Sequence, residues 1–151
     1  MALNLEGKKA VVAEVAEVAA NAYSAIAAEY RGLTVSEMTE LRVAARKQNV
    51  YLRVVRNTLA RRAVEGTDFA CMQEGMTGPL ILGFSMEDPG AVARVMGDFA
   101  KDKKQLEVKM VSLGGKLFPA SELERLAKMP TKEQAISMFM GTIKAPIEKF
   151  V

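Results

Sequence analysis

The sequence predicts an α/β domain, α+β in arrangement: helices packed on a roughly four-stranded mixed sheet, followed by a protruding C-terminal amphipathic helix. Three observations carry this expectation. Stripes of helical period alternate along the chain with short β-branched runs, the pattern of helices layered on a sheet. PLILGF at 79–84 is continuously apolar and fits a strand covered on both faces. LEVKMV at 106–111 alternates instead, which fits a strand with one wet face, and the pair suggests a sheet of mixed direction. Finally, Met129-Pro130 interrupts the chain and the segment after it has its own apolar stripe. The expected division is a domain at 1–130 and a tail helix at 131–151.

Taken in order, residues 4–22 form the first helix, with Asn4 as N-cap and Val11, Val15, Val18 and Ala22 as its apolar stripe. Residues 23–29 form a strand, closed by a turn at Arg31-Gly32. Thr34 and Glu37 have the spacing of a capping box and start a helix that ends near Asn49, with Met38, Leu41 and Ala45 inward and Arg42 and Arg46 in a row beside them. Residues 50–55 form a strand by their β-branched content. A helix over 58–65 follows, capped by Asn57 and stopped by Gly66. Residues 67–77 read as a polar connection. Asp88-Pro89 opens a helix with stripe Val92, Val95, Met96 and Phe99. Gly114-Gly115-Lys116 is a turn without phosphate-loop spacing, and residues 119–128 form a short helix with Ser121 and Glu124 as a second possible capping box. Thr131 and Gln134 give a third, ahead of a stripe of Ile136, Phe139, Met140, Ile143, Ile147 and Phe150 that Gly141 and Pro146 weaken. Such a tail either packs back on its own domain or meets a partner helix; its position after a domain already supplied with a core favours the partner.

Composition excludes several functions. The 151 residues contain no His, so no imidazole base, Ser-His or Cys-His pair or HExxH zinc motif is present. Carboxylates are scattered singly, and neither catalytic residues, a metal nor a cofactor is expected. Cys71 is the one cysteine, which points to a reducing compartment. MALNLEGKK precedes no long apolar run and no segment is long enough to span a bilayer, so a cytoplasmic chain without membrane contact is expected.

Charge is concentrated rather than spread. Residues 31–62 hold eight cations, seven of them Arg, against Glu37 and Glu40 alone, a net of +6; the whole chain is +3, so the remainder is −3. Arginine's planar fork holds phosphate through two hydrogen bonds and stacks on bases. A nucleic-acid surface and a solvated basic face both fit this excess. Within it, the start of the helix after Asn57 gives the strongest phosphate argument, because open amides there would be flanked by Arg53, Arg56, Arg61 and Arg62. Lys8 and Lys9 sit at the end of the first helix that its dipole disfavours, which fits either a nearby anion or ordinary exposed lysines.

RGLTVSEMTELR, VYLRVVRNTLARRA and TGPLIL, in that order and with an amphipathic tail, resemble the bacterial stalk-base protein of the large ribosomal subunit. This is the tenth large-subunit protein, counterpart of the eukaryotic P-zero stalk protein. The resemblance covers residues 1 to about 130 and the character of the tail. It implies a non-enzymatic, ribosome-associated role: the α/β domain binds large-subunit (23S-type) rRNA at the factor-binding region, beside the neighbouring eleventh large-subunit protein. The C-terminal helix would carry acidic stalk-protein dimers, which recruit translation factors. Carried across by position, the RNA-binding residues are Arg31, Gly32, Leu33, Thr34, Arg53, Arg56, Asn57, Thr58 and Arg61, with Lys8 and Lys9 as weaker candidates. The partner-binding residues are Ile136, Phe139, Met140, Ile143, Ile147 and Phe150. Members of that family continue past the position of Val151, so the tail here corresponds to the start of the docking helix. Two other classes fit the same basic surface: an RNA-binding translational regulator outside the ribosome, and an enzyme using arginines to clamp a phosphorylated substrate.

Overall fold

The computed structural model describes residues 3–150. Strands β1 (Ser24–Glu29), β2 (Val50–Val54), β3 (Leu80–Ser85), β4 (Glu107–Leu113) and β5 (Lys116–Pro119) form one sheet in the order β2-β3-β1-β4-β5. Every neighbouring pair is antiparallel. The helices and sheet are as expected; the mixed direction is not. A continuous apolar run reports cover on both faces, and here helices cover both faces of an antiparallel sheet. The fifth strand, KLFP, is short and exposed and carries no apolar pattern of its own. It exists because Gly114 and Gly115, both at positive φ, form a two-residue turn that brings Lys116 opposite Leu113.

On one face lie α1 (Leu5–Asn21), α3 (Asn57–Val64) and a 3₁₀ turn, Ala70–Gly75, over a core that includes Val15, Ala27, Leu59, Phe69, Met72 and Phe84. On the other lie α2 (Val35–Lys47), α4 (Ala91–Asp102) and α5 (Leu123–Ala127), enclosing Ile26, Leu41, Ile81, Val92 and Met96. Every residue of β3 is buried. The connection read as polar over 67–77 in fact inserts Phe69, Met72 and Met76 into the first core. Their spacing is helical, but polar neighbours and Gly75 mask it.

Local signals explain most element ends. Asn4 accepts the Gly7 amide at 2.7 Å, and Thr34 and Glu37 form both halves of the capping box. Gly32, at φ +91°, is the third residue of a turn closed by Leu33 N donating to Tyr30 O at 3.1 Å. The Thr131–Gln134 box forms as well. The Ser121–Glu124 box does not; a 3₁₀ turn, Ala120–Glu122, occupies that start without a side-chain cap. At α4 the cap position falls to Gly90, whose amide donates to the Asp88 carboxylate at 3.0 Å. Arg94 pairs with Asp88 and also donates to Met129 O at 3.1 Å, which fixes the chain just before Pro130. From there α6 (Lys132–Phe150) continues as one helix through Pro146, with no buried residue. Val151, included in the expected tail helix, lies outside the described residues.

Glycine is required where α4 crosses the sheet. A Cβ on Gly83 would stand 2.7 Å from Val92 Cγ2, 3.2 Å from Met96 Cε and 3.4 Å from Leu52 Cδ1. Gly83→Ala is therefore expected to destabilise the domain by about 1–3 kcal/mol through overpacking. Urea unfolding measures it, and an unchanged midpoint would show that the α4 layer yields freely.

Candidate nucleic-acid interface and exposed tail helix

Antiparallel pairing decides which residues meet. Glu29 at the end of β1 faces Leu80 at the start of β3, and Val54 at the end of β2 faces Ile81. The chain therefore leaves β1 and β2 at the same end of the sheet. This places the Arg31-Gly32 turn and the Arg56-Asn57-Thr58 corner at one end, with the β3 entrance between them, although the sequence gives them as two separate places. Tyr30, Arg56, Asn57, Thr58, Gly78 and Pro79 line a cleft of about 480 Å³ at that end, and Arg31 and Gly32 are not among its lining residues. Tyr30 was not singled out from the sequence; an aromatic residue directly before a basic turn is the available signal, since bases stack on such rings.

The candidate residues divide into exposed groups and structural ones. Arg31, Arg56 and Thr58 are exposed, and among the described residues neither arginine makes an ion pair. Asn57 is not the N-cap: its amide nitrogen donates to Gly78 O at 2.9 Å, tying the helix start to the β3 entrance. Arg56 holds the cap position without a side-chain cap, so the first amides of α3 still open on the cleft. Thr34 is occupied by its capping box, and Leu33 is half-buried against the second core. Glu37 of that box also meets Lys103 at 3.1 Å. The Thr34 amide, then Lys103, hold the Glu37 carboxyl below its usual range.

Arg53 and Arg61 are turned to internal work. Arg53 pairs with Glu14 and donates to Tyr51 Oη at 3.1 Å, while Tyr51 Oη donates to Glu14 Oε1 at 2.9 Å. This three-residue bond joins α1 to β2. Arg61 Nη2 donates to Met76 O at 2.6 Å, and Gln73 Nε2 donates to Arg61 O at 2.8 Å, so Arg61 holds the 3₁₀ segment on α3. Its charge is half-buried rather than presented. Lys8 and Lys9 lie elsewhere, along a groove of about 300 Å³ between α1 and α3 that also takes in Leu5, Leu59 and Arg62. Arg62, exposed there, belongs with them.

The tail residues are presented together. Ile136, Phe139, Met140, Ile143, Ile147 and Phe150 are between 51% and 93% exposed along α6. The packing of α6 against its own domain, one of the two readings of the sequence, is not what the structure shows. Among the described residues no cluster of potential metal ligands occurs, and no helix is long and apolar enough to cross a membrane.

The fold and these surfaces define a class: a basic α/β module bearing an unburied amphipathic helix. The family described as ribosomal protein L10 matches residues 3–101, and the ribosomal protein uL10 C-terminal region matches residues 129–151. The chain is 70% identical over 150 residues to the large ribosomal subunit protein uL10 of Thioalkalivibrio sulfidiphilus, covering 99% of this chain and 85% of that one. It is 68% identical over 151 residues to that of Methylococcus capsulatus (100% and 86%) and 67% over 150 residues to that of Nitrosococcus oceani (99% and 81%). The chain belongs to the uL10 family of large-subunit ribosomal proteins, structural constituents of the ribosome and not enzymes.

The Glu14–Arg53–Tyr51 bond has a pH signature. Hydrogen bonds from Arg53, then Tyr51, hold the Glu14 carboxyl below its ordinary value. A depressed folded-state pKa means the unfolded chain binds the proton first as pH falls, so the bond stabilises above about pH 4.3 and is lost as pH drops through the folded value. The stability gap between the natural chain and Glu14→Gln is expected to narrow below that pH. Urea unfolding across about pH 3 to 7 measures it, and a gap that stays constant would disprove the linkage.

Proposed function

We propose that this chain forms the base of the ribosomal stalk, with residues 1–130 holding large-subunit rRNA and residues 131–151 beginning the docking helix for acidic stalk-protein dimers. The observation that carries the first half is the placement of the Arg31-Gly32 turn and the uncapped start of α3 at one end of the sheet, the latter opening on a cleft lined by Tyr30, Arg56, Asn57 and Thr58. Two exposed arginines, open amides and an aromatic ring there suit phosphates and unstacked bases of a folded RNA junction. Phosphate contacts of this kind fix position and need little sequence reading. Gly32 keeps the turn free of a side chain, and Asn57 holds the corner in place from behind. The site so drawn is Arg31, Gly32, Arg56, Thr58 and Tyr30, with Lys8, Lys9 and Arg62 as a second contact. Arg53, Arg61, Asn57, Leu33 and Thr34 position it.

The second half rests on α6, whose apolar stripe is bare along its whole length. A helix-in-groove or helix-bundle contact is the physical use for such a face. Through the dimers the chain would serve translation factors at one remove, and its rRNA site would set it beside the eleventh large-subunit protein in a bacterial cytoplasm.

Arg31→Ala with Arg56→Ala is expected to weaken binding to the cognate rRNA fragment by at least about tenfold and to lower the slope of log affinity against log salt by about 2. Titration at several salt concentrations tests this, and unchanged affinity and slope would remove the cleft from the RNA contact.

Phe139→Asp with Ile143→Asp is expected to abolish co-elution of acidic stalk-protein dimers with the chain while leaving rRNA affinity unchanged. Retained dimers on gel filtration would mean that another surface carries them.

A further inference from the structure

We infer that the outer edge of β2 is a docking strand for an acidic, extended peptide segment of another protein, a function separate from the RNA and stalk contacts. β2 ends the sheet, so alternate residues of Val50–Val54 direct their amides and carbonyls outward with no strand beside them. The two edges of the sheet are built differently. β5 has four residues, an exposed lysine at its start and Pro119 at its end, devices that discourage pairing. β2 has neither proline nor bulge, and Val54 is exposed on it.

Beside this edge runs a cleft of about 530 Å³, lined by Arg42 and Arg46 from α2 and by Leu52, Arg53 and Val54 from β2. Its lining holds three arginines and no carboxylate. Arg53 is paired with Glu14, but among the described residues Arg42 and Arg46 make no ion pair. The connection from α2 to β2 is two residues, Gln48 and Asn49, so the helix runs back along the strand. Arg42 and Arg46, four residues apart, are therefore separated by about 6 Å along that direction. Carboxylates at alternate positions of an added strand are separated by about 6.6–6.8 Å. An added strand with acidic residues at alternate positions thus matches both the ladder and the charge row.

A peptide suits this edge better than an RNA backbone. The edge alternates amide donors with carbonyl acceptors; phosphates only accept and the 2′-hydroxyl is the one donor of an RNA backbone, so an added peptide strand matches the ladder more closely.

The test titrates the ¹⁵N-labelled full chain with a synthetic peptide alternating valine and glutamate, about eight residues long. Three comparisons accompany it: the same peptide N-methylated at alternate residues, the version with lysine for glutamate, and a single-stranded RNA of similar length. The acidic peptide is expected to shift the amide resonances of Val50–Val54, while N-methylation and the lysine peptide abolish the shifts. Arg42→Glu with Arg46→Glu should weaken binding about tenfold; both side chains are exposed, and an unchanged spectrum of the free variant verifies its fold. Equal binding of the N-methylated peptide, undiminished binding to the charge-reversed chain, or shifts of β2 by RNA but not by the acidic peptide would each overturn the proposal.

Discussion

Helices cover both faces of the sheet, and this constraint governs where the chain can meet anything else. Val15, Phe69 and Phe84 close one side and Leu41, Ile81 and Met96 the other, all at or near zero exposure. No side chain at the centre of a strand can then serve a large partner. What the sheet itself leaves accessible is its strand ends, where loops emerge, and its outer edges. The order β2-β3-β1-β4-β5 does the rest: β1 and β2 both run antiparallel to β3, so their exits fall at one end of the sheet with the β3 entrance between them. The cleft around Tyr30 is in this sense a consequence of topology, with the arginines added to it.

The arginine excess in 31–62 is divided among several settings rather than gathered in one; Arg62 lies by the α1–α3 groove. Arg53 and Arg61 make directional bonds inside the domain, to the Tyr51–Glu14 pair and to the Met76 carbonyl. Arg31 and Arg56 stand at the sheet end, and Arg42 and Arg46 line the edge cleft. Guanidinium suits them all, since a planar fork with five donors can bridge backbone and side chains as readily as phosphate. A count of charge therefore overstates the contact surface, and the hydrogen bonds of each residue correct it.

The same distinction explains what the sequence made legible. The Thr34–Glu37 box, the Gly32 turn and the Asn4 cap were readable because each depends on residues within four positions of one another. The bare stripe of α6 was readable from its period. Asn57 misled: an Asn ahead of a helix is a good cap, but here a carbonyl 21 residues away at Gly78 takes its amide. Arg61 likewise bonds a distant carbonyl, that of Met76, beyond any local window. The buried role of Phe69, Met72 and Met76 depends on where the sheet lies, which no local window contains. Strand direction and the pairing of β5 are likewise long-range facts. For the candidate site, then, the two loops were legible and their placement at one end of the sheet was not.

The tail makes a separate physical argument. An isolated helix of α6's length is marginal in water, and Gly141 and Pro146 lower its stability further. Its capping box supplies about 1 kcal/mol at one end only. Each large apolar residue on its stripe would add roughly 1.5–3 kcal/mol if fully buried. Tertiary burial is absent from α6, so these side chains can stabilise it only when a partner covers them. A partner that covered the stripe would therefore also order the helix, while Arg94, bonded to Asp88 and to the Met129 carbonyl, ties the chain just ahead of it to the domain.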